Sequence, residues 1–372
     1  MKIVIAIDSF KGCLSSEEAN HAAADGVRSV LPKAEVREVT VSDGGEGFVK
    51  AYHKAVGGIW VETEVCDPLM RPVKAHYLLN GNLAVLEMAE ASGLSLLSPE
   101  ERNPMLATTY GTGQLIVDAI QRGACHIIIG LGGSATNDAG MGMLLALTDY
   151  LHEYHLSNPC TPSFPYKDIT LQLRHVHFTM ASDVRIPLYG PCGAAHVFGS
   201  QKGATPEMIR LLDERARLFA ERSARFLGYD HSADEGAGAA GGVGYAMLQY
   251  LHADNRSGID LLLDATGFTE LAHMADLIIT GEGSADRQTL MGKLPMGILH
   301  HASNTPVCLF AGRVSDREAL LNAGFAHVEC INPPDIPLSV AMRATVARQN
   351  IRQSVQRLTS DVLGARYCPM LS

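Results

Sequence analysis

The sequence predicts an α/β protein with two domains, one of which is discontinuous. Its 372 residues exceed the usual length of a single domain, and 47% of them are hydrophobic, which is enough for two separate cores. Short apolar strands alternate with amphipathic helices near both ends of the chain, whereas a different pattern occupies the middle. We therefore expect residues 1–65 and 265–372 to form one α/β domain, and residues 66–264 to form an inserted α/β domain.

The chain begins with a predicted buried strand and a predicted capped helix. Residues 2–8, KIVIAID, form a short β-branched run that is typical of a strand buried on both faces. Ser15 and Glu18 have the spacing of a capping box, so a helix is expected to begin there. The stretch 35–47 then predicts a second strand that ends in an acidic, glycine-rich loop.

The middle of the chain changes its periodicity before the strand and helix alternation returns. Residues 59–65 and 73–79 alternate apolar and other side chains with a period of two, which favours antiparallel strands. Residues 206–227 have the spacing of an amphipathic helix. The C-terminal part predicts three buried strands and a final helix, located within 275–286, 305–314, 326–334 and 338–363.

Composition argues against several classes of partner. The net charge is −10 and the isoelectric point is near 5.8, so no global positive field favours nucleic acid or an anionic membrane surface. The start of the chain lacks the apolar run of a signal peptide, and no later run has the length of a spanning helix, so we expect a cytoplasmic protein. Eight scattered cysteines without a C-x-x-C pair favour reduced thiols.

A glycine-rich stretch at residues 130–142, GLGGSATNDAGMG, allows three interpretations. Gly130, Gly132 and Ala135 nearly match a dinucleotide fingerprint, although the preceding strand lies in the middle of the chain. The small residues also suit a phosphate-binding loop, in which backbone N–H groups and a helix N-terminus contact the anion. The third interpretation is a structural start of a helix, capped by Asn137 or Asp138. The phosphate-binding interpretation is favoured, with Asp138 as a magnesium partner.

Lysines and acidic residues in glycine-flanked loops are the other candidates. Lys11, Lys202 and Lys293 each adjoin a glycine, and such a lysine can be directed at a phosphate or a carboxylate. Carboxylates near predicted strand ends suit magnesium binding or proton abstraction from a hydroxyl group. These carboxylates are Asp8, Asp43, Glu46, Asp183, Glu282 and Asp286.

Together, seven motifs resemble those of the bacterial type I glycerate kinases, in order and over nearly the whole chain. The motifs lie at residues 5–12, 41–48, 109–116, 130–142, 198–205, 236–247 and 279–293. The resemblance implies transfer of phosphate from ATP, with Mg²⁺, to D-glycerate, generally at the 2-hydroxyl group. It also implies a flavodoxin-like domain and a restriction-enzyme-like domain with the active site in the cleft between them. Homo-oligomerisation is left open.

Residue roles follow from this interpretation as hypotheses. The proposed catalytic residues, which neutralise the phosphoryl group or deprotonate the hydroxyl group, are Lys11, Asp43, Asp183 and Lys202. Glycerate binding is assigned to Asp8, Ser9, Gln201 and Lys293. Binding of the ATP phosphates is assigned to Gly132, Gly133, Ser134, Thr136, Asn137, Gly281, Gly283, Gln288 and Thr289. Magnesium binding is assigned to Asp138, Glu282 and Asp286.

Three alternatives remain open at this point. The first is phosphorylation of glycerate at the 3-hydroxyl group. The second is a nicotinamide-dependent hydroxy-acid dehydrogenase built on Gly130–Ala135, which would bind NAD in place of ATP. The third is a non-catalytic protein that senses sugar acids, but that interpretation leaves the glycine-flanked lysines and the several acids unexplained.

Overall fold

The structure is a computed structural model and describes residues 1–41, 47–154 and 166–367. The strands are β1 (Lys2–Ile7), β2 (Glu35–Glu38), β3 (Ile59–Cys66), β4 (Pro72–Asn80), β5 (Leu83–Glu87), β6 (His126–Gly130), β7 (His177–Ala181), β8 (Asp254–Arg256), β9 (Leu277–Ala285), β10 (Val307–Val314) and β11 (His327–Cys330). The helices up to residue 227 are α1 (Ser16–Val30), α2 (Phe48–Val56), α3 (Ala89–Ser92), α4 (Tyr110–Gln121), α5 (Met141–Tyr154), α6 (Lys167–Gln172), α7 (Ala194–Phe198) and α8 (Pro206–Leu227). The later helices are α9 (Val243–Leu251), α10 (Gly258–Thr266), α11 (Phe268–His273), α12 (Leu294–His301), α13 (Arg317–Asn322), α14 (Leu338–Ala341) and α15 (Ala344–Tyr367).

The contacts divide the chain into two compact units. The first unit contains Met1–Asp43 and Ile259–Ser372, and the second contains Gly44–Gly258. The sequence prediction had its boundaries at residues 65 and 265. The difference at the first boundary has a simple cause, since β3 pairs with β4 along its whole length and therefore belongs to the sheet of the second unit.

The first unit is built on a parallel five-stranded sheet in the order β11-β10-β9-β1-β2. Counted along the chain within this unit, the strand order is 2-1-3-4-5, which is the flavodoxin-like order of a doubly wound sheet. The order reverses between β1 and β9, where Ile5 pairs with Ile279. Such a reversal point is the usual position of a ligand site in this class of sheet.

Helices α1 and α15 cover a core made by the inner strands of this sheet. Ile3, Ile5 and Ile7 of β1 are fully buried, as their β-branched sequence predicted. The predicted capping box is confirmed, because the Ser15 side chain accepts a hydrogen bond from Glu18 N and the Glu18 side chain accepts one from Ser15 N. The predicted C-terminal helix is interrupted and forms α14 and α15.

The second unit contains a mixed six-stranded sheet in the order β3-β4-β5-β6-β7-β8. Strands β3, β4 and β5 are antiparallel, which confirms the period-two prediction, whereas the pairs from β5 to β8 are parallel. Its core includes the fully buried rings of Tyr77, Tyr245 and Tyr250. Helix α8 matches the predicted amphipathic segment and buries Leu212, Ala216 and Phe219.

The structure confirms the α/β class and the presence of two α/β units, each with its own hydrophobic core. Within the described ranges, no helix combines the length and the apolar character needed to cross a membrane.

Candidate active site

In the first unit, the candidate residues gather at the carboxyl ends of β1 and β9. The backbone N–H of Asp8 donates to the carbonyl oxygen of Gly281 over 2.9 Å, which joins the two strand ends. The Asp8 carboxylate in turn accepts a hydrogen bond from the N–H of Ser9 at 2.7 Å. This edge lies at the reversal point of the sheet, so its loops form the place where a doubly wound fold accepts ligands.

Glu282 is the buried acid of this edge. Its Oε1 accepts a 2.6 Å hydrogen bond from Thr289 Oγ1, and its Oε2 lies 4.0 Å from Lys293 Nζ. Burial raises the pKa of Glu282 above its ordinary value, while the positive charges of Lys293 and Lys11 act in the opposite direction. The structure therefore brings four predicted residues into one electrostatic environment, which combines a carboxylate, a hydroxyl group and two ammonium groups.

The segment after β9 is held in a tight turn. Asp286 Oδ1 accepts a 2.7 Å hydrogen bond from Gln288 N, and Asp286 N donates to Thr289 Oγ1 at 3.0 Å. A short 3₁₀ helix follows at Thr289–Met291. We name residues 281–293 the β9 loop. Its hydrogen bonds fix Thr289 against Glu282, while Gln288 and Lys293 remain exposed.

The two glycines of the β9 loop have different surroundings. A Cβ atom on Gly281 would lie 2.3 Å from the carbonyl oxygen of Phe310, so the packing of β9 on β10 requires glycine there. A Cβ atom on Gly283 would meet nothing nearer than 4.0 Å. Gly281 therefore has a packing role that the sequence assignment to phosphate binding did not include.

In the second unit, the glycine-rich stretch connects β6 to α5, and we name its residues 131–140 the glycine loop. Glu87, Gly130 and Ala181 are paired neighbours at the ends of β5, β6 and β7, so the glycine loop lies at the carboxyl edge of this sheet. Gly132 and Gly133 are exposed, whereas the stretch 134–137 is buried. The first part of the loop therefore offers backbone groups to solvent.

Asp138 anchors the far end of the glycine loop. Its Oδ2 accepts hydrogen bonds from Thr109 N at 2.9 Å, Thr109 Oγ1 at 2.8 Å and Gly142 N at 3.1 Å. Its Oδ1 accepts another from Gly140 N at 3.1 Å. Burial raises the pKa of Asp138, and these four donors oppose that rise. The magnesium role stays a prediction, but the bonds to Gly140 and Gly142 agree with the alternative of a capped helix start.

Lys202 supports the middle of the glycine loop. It ends a 3₁₀ helix at Ser200–Lys202, and only 2% of its surface is exposed. Its Nζ donates to Ser134 Oγ at 2.8 Å and to the carbonyl oxygen of Thr136 at 2.7 Å. Burial lowers the pKa of Lys202 to about 7, although the charge of Asp138 acts in the opposite direction.

A second glycine-rich segment, residues 236–247, supports the same loop from another side. The N–H of Ala139 donates to the carbonyl oxygen of Gly241 at 3.0 Å. A Cβ atom on Gly241 would lie 2.1 Å from the carbonyl oxygen of Thr136, so only glycine allows this approach. Ala139 and Ala240 both have positive φ angles, 54° and 53°. The glycine content of this segment therefore reflects close packing against the glycine loop.

Some important residues were missed in the sequence assignments, although sequence signals were available. Thr109 and Gly241 lie inside recognised motifs, but no role had been given to them. Glu87 ends β5, and its Oε1 accepts a hydrogen bond from Val49 N at 2.9 Å. Burial raises the pKa of Glu87. The position of Glu87 after an apolar strand was the same signal that had selected the other acids.

The remaining predicted residues differ in their exposure and in their hydrogen bonding. Asp183 is exposed after β7, and Gln201 is exposed on the 3₁₀ helix that carries Lys202. Asp43 and Glu46 lie outside the described residues. Thr136 Oγ1 and Asn137 Oδ1 are buried and, within the part of the chain that the structure describes, have no hydrogen-bond partner. Buried polar atoms of this kind are uncommon in proteins, so a bound group at the loop is one explanation for them.

Comparison with known proteins gives one consistent family. The sequence profile described as "Glycerate kinase family" matches residues 3–363. The chain is 44% identical to "Glycerate kinase" of Bacillus subtilis (strain 168), over 92% of this chain and 93% of the relative. It is 40% identical to "Glycerate 2-kinase" of Escherichia coli (strain K12), over 85% of this chain and 86% of the relative.

A solved structure supports the same assignment. It is described as a "putative glycerate kinase 2 from Salmonella typhimurium LT2", and it matches with a TM-score of 0.81 and 38% sequence identity. The match covers 98% of this chain and 99% of that chain. The resemblance in sequence therefore extends to the three-dimensional fold of nearly the whole protein.

Proposed function

The chain belongs to the glycerate kinase family, and from this premise we propose that it transfers the terminal phosphoryl group of ATP to D-glycerate. The products are ADP and a phosphoglycerate. The single observation that carries the proposal is the group formed by Glu282, Thr289 and Lys293 at the reversal point of the first sheet. Phosphoryl transfer depends mainly on positioning and on neutralisation of charge, and this group combines both functions.

The lysines of the first unit are proposed to contact the anionic substrate groups. Lys293 is 43% exposed, so its ammonium group is available to a ligand while remaining 4.0 Å from Glu282. Lys11 is exposed in the turn after β1, and its charge acts on Glu282. Asp8 and Ser9 lie beside this turn. We assign the transferred phosphate and the glycerate carboxylate to these residues.

The first unit also offers donors that fit magnesium. Mg²⁺ is commonly held by one or two carboxylates together with substrate phosphates and water. Glu282 and Asp286 supply two such carboxylates, and among the described residues no group of three His, Cys, Asp or Glu side chains could hold a metal on its own. We propose that these two residues hold Mg²⁺ together with the phosphates of ATP. When bound, the ion would neutralise charge on those phosphates.

The glycine loop is proposed to bind nucleotide phosphates. The exposure of Gly132 and Gly133 would let backbone N–H groups approach an anion without a side chain intervening. Buried Thr136 Oγ1 and Asn137 Oδ1 lack protein partners among the described residues, which supports binding at this loop. Asp183, at the same sheet edge, is the proposed base for the glycerate hydroxyl group, with Asp43 as the alternative.

The 2-hydroxyl group is the proposed acceptor. Support comes from the relative of Escherichia coli, which is named a glycerate 2-kinase and is 40% identical to this chain. A cytoplasmic location belongs to the same proposal, since ATP is abundant in the cytoplasm.

One experiment tests the activity and the site of phosphorylation together. The purified protein is incubated with ATP, Mg²⁺ and D-glycerate, and the product is examined by proton-coupled ³¹P NMR. A phosphate on carbon 2 couples to a single carbon-bound proton and gives a doublet, whereas a phosphate on carbon 3 couples to two protons and gives a triplet. We expect the doublet. A triplet would overturn the 2-hydroxyl assignment, and ADP formation that does not depend on glycerate would overturn the proposed activity.

A further inference from the structure

The Lys202 side chain is buried and bonded within the protein, unlike a lysine that is directed at a substrate. Both hydrogen bonds of its side chain end on the glycine loop, at Ser134 Oγ and the carbonyl oxygen of Thr136. Ser134 and Thr136 are themselves buried. The charge of Asp138 acts on the Lys202 ammonium group, but the hydrogen bonds of that carboxylate go to Thr109, Gly140 and Gly142.

Burial of a lysine under these conditions is energetically unfavourable. An ammonium group removed from water loses hydration, and the charge of Asp138 compensates for only part of this loss. Burial accordingly lowers the pKa of Lys202 to about 7. An apolar side chain of the same length would avoid this cost, so the value of a lysine at this position must lie in the bonds that it makes.

Those bonds occupy a specific part of the loop. Lys202 holds residues 134–136, which directly follow the exposed Gly132 and Gly133. Asp138 holds the next part of the loop through Thr109, Gly140 and Gly142. The loop is therefore fixed by the buried amino group of Lys202, which donates to a carbonyl and a hydroxyl oxygen, and by the partly buried carboxylate of Asp138, which accepts from N–H groups on both sides of it.

We propose that Lys202 is a positioning residue, which fixes the glycine loop for the nucleotide and does not contact the transferred phosphoryl group. This inference rests on the proposed kinase function. This differs from the sequence-based assignment, in which Lys202 neutralises the transferring group. The distinction has a measurable consequence. A positioning lysine controls the order of the loop even without substrate, whereas a lysine that contacts the phosphoryl group controls only the reaction.

Lys202→Met is the principal test, because methionine keeps an unbranched apolar stem and removes the ammonium group. Two measurements are made on the full chain: the steady-state kinetics with ATP and D-glycerate, and the amide hydrogen exchange of peptides within residues 131–140 without nucleotide. We expect kcat to fall about 100-fold, since small displacements of positioned groups cost about this factor. We expect exchange in the glycine loop to accelerate by about tenfold or more.

Lys50→Met is the matched control, since Lys50 is exposed on α2 of the same unit. It should leave both measurements unchanged. Ser134→Ala is a milder variant for the case that Lys202→Met does not fold, because it removes one of the two acceptors and leaves the carbonyl oxygen of Thr136. It should accelerate exchange in the loop by a smaller factor.

The outcomes separate this inference from the proposed function. A fall in kcat with unchanged loop exchange in Lys202→Met would mean that the lysine acts on the substrate, and would overturn the positioning role. Unchanged kcat and unchanged exchange in Lys202→Met would also overturn the positioning role. If Lys202→Met does not fold, unchanged loop exchange in Ser134→Ala would overturn it. A wild-type protein without glycerate-dependent ADP formation would instead refute the kinase proposal, while the exchange data would still report on the loop.

Discussion

The glycine loop and the β9 loop both follow a parallel strand, yet they use their charged residues differently. At the glycine loop, the side chain of Lys202 is buried and donates its hydrogen bonds to Ser134 and Thr136 of the loop. In the β9 loop, the Lys293 side chain is 43% exposed and faces Glu282 across 4.0 Å. The same residue type therefore maintains the shape of one loop and remains available to a ligand in the other.

This difference indicates how the two loops should respond to mutation. A charge that is used within the protein affects the stability and the order of its loop, because its removal leaves buried groups without partners. A charge that remains accessible affects substrate affinity and turnover, with little effect on folding. The comparison can therefore be tested by measuring stability and activity separately for each loop.

The largest effect is expected from Glu282→Gln in the β9 loop. Glutamine keeps the volume and an oxygen that can accept from Thr289 Oγ1, but it removes the charge proposed to hold Mg²⁺. We expect kcat/KM to fall by about 10²–10³-fold, the size seen when one electrostatic contact to a transition state is lost. Although Glu282 is buried, the free energy of unfolding should remain nearly unchanged, because glutamine keeps the bond from Thr289 and burial already disfavours the charged form of Glu282 by raising its pKa.

The control for this variant is Glu318→Gln, which removes an exposed carboxylate on α13 of the same unit. Kinetics are measured over a range of Mg²⁺ concentrations. Activity within threefold of the wild type, with the same Mg²⁺ dependence, would show that Glu282 is not a ligand of the metal.

Local sequence patterns were sufficient to predict most of the fold. The capping box of Ser15 and Glu18, the strand β1 and the helix α8 all depend on neighbours within a few residues, and each was confirmed. The first domain boundary differed from the observed division because it depends on which sheet accepts β3. That choice is made by pairing with β4 and by the common core of the second unit, which local periodicity does not report.

The candidate site was predictable by residue type, but not by partner. The lysines and acids could be selected because they lie near glycines and strand ends. The bond between Lys202 and Thr136 joins positions that are 66 residues apart, and the approach of Gly241 to Thr136 joins positions that are still farther apart in sequence. Contacts of this kind are decided by tertiary packing, so a single sequence does not reveal whether a lysine serves a substrate or a loop.

The second-largest effect is expected from Asp138→Asn in the glycine loop. Asparagine replaces one acceptor oxygen by an N–H₂ group, which cannot accept the bonds that Thr109 and Gly142 donate to Oδ2. We expect the free energy of unfolding to fall by about 2–3 kcal/mol, as for buried donors left without a partner. Urea denaturation checks this value.

The Mg²⁺ dependence of the same variant separates the two roles of Asp138. As an anchor of the loop, Asp138 should leave the Mg²⁺ concentration for half-maximal activity unchanged. A large increase in that concentration, with normal stability, would support the magnesium prediction and contradict the comparison between the loops.

The smallest effect concerns the pH dependence of stability. Since the pKa of Lys202 falls from its usual value of 10.5 to about 7 on folding, the unfolded chain binds more protons than the folded chain between these pH values. The contribution of Lys202 to stability therefore rises with pH across this window, by about 1 kcal/mol from pH 7 to pH 8. Urea denaturation of the wild type and of Lys202→Met at both pH values gives this contribution as a difference, in which other titrating groups cancel. Equal pH dependence of the two proteins would mean that Lys202 titrates as an ordinary solvated lysine, and the contrast with Lys293 would then be lost.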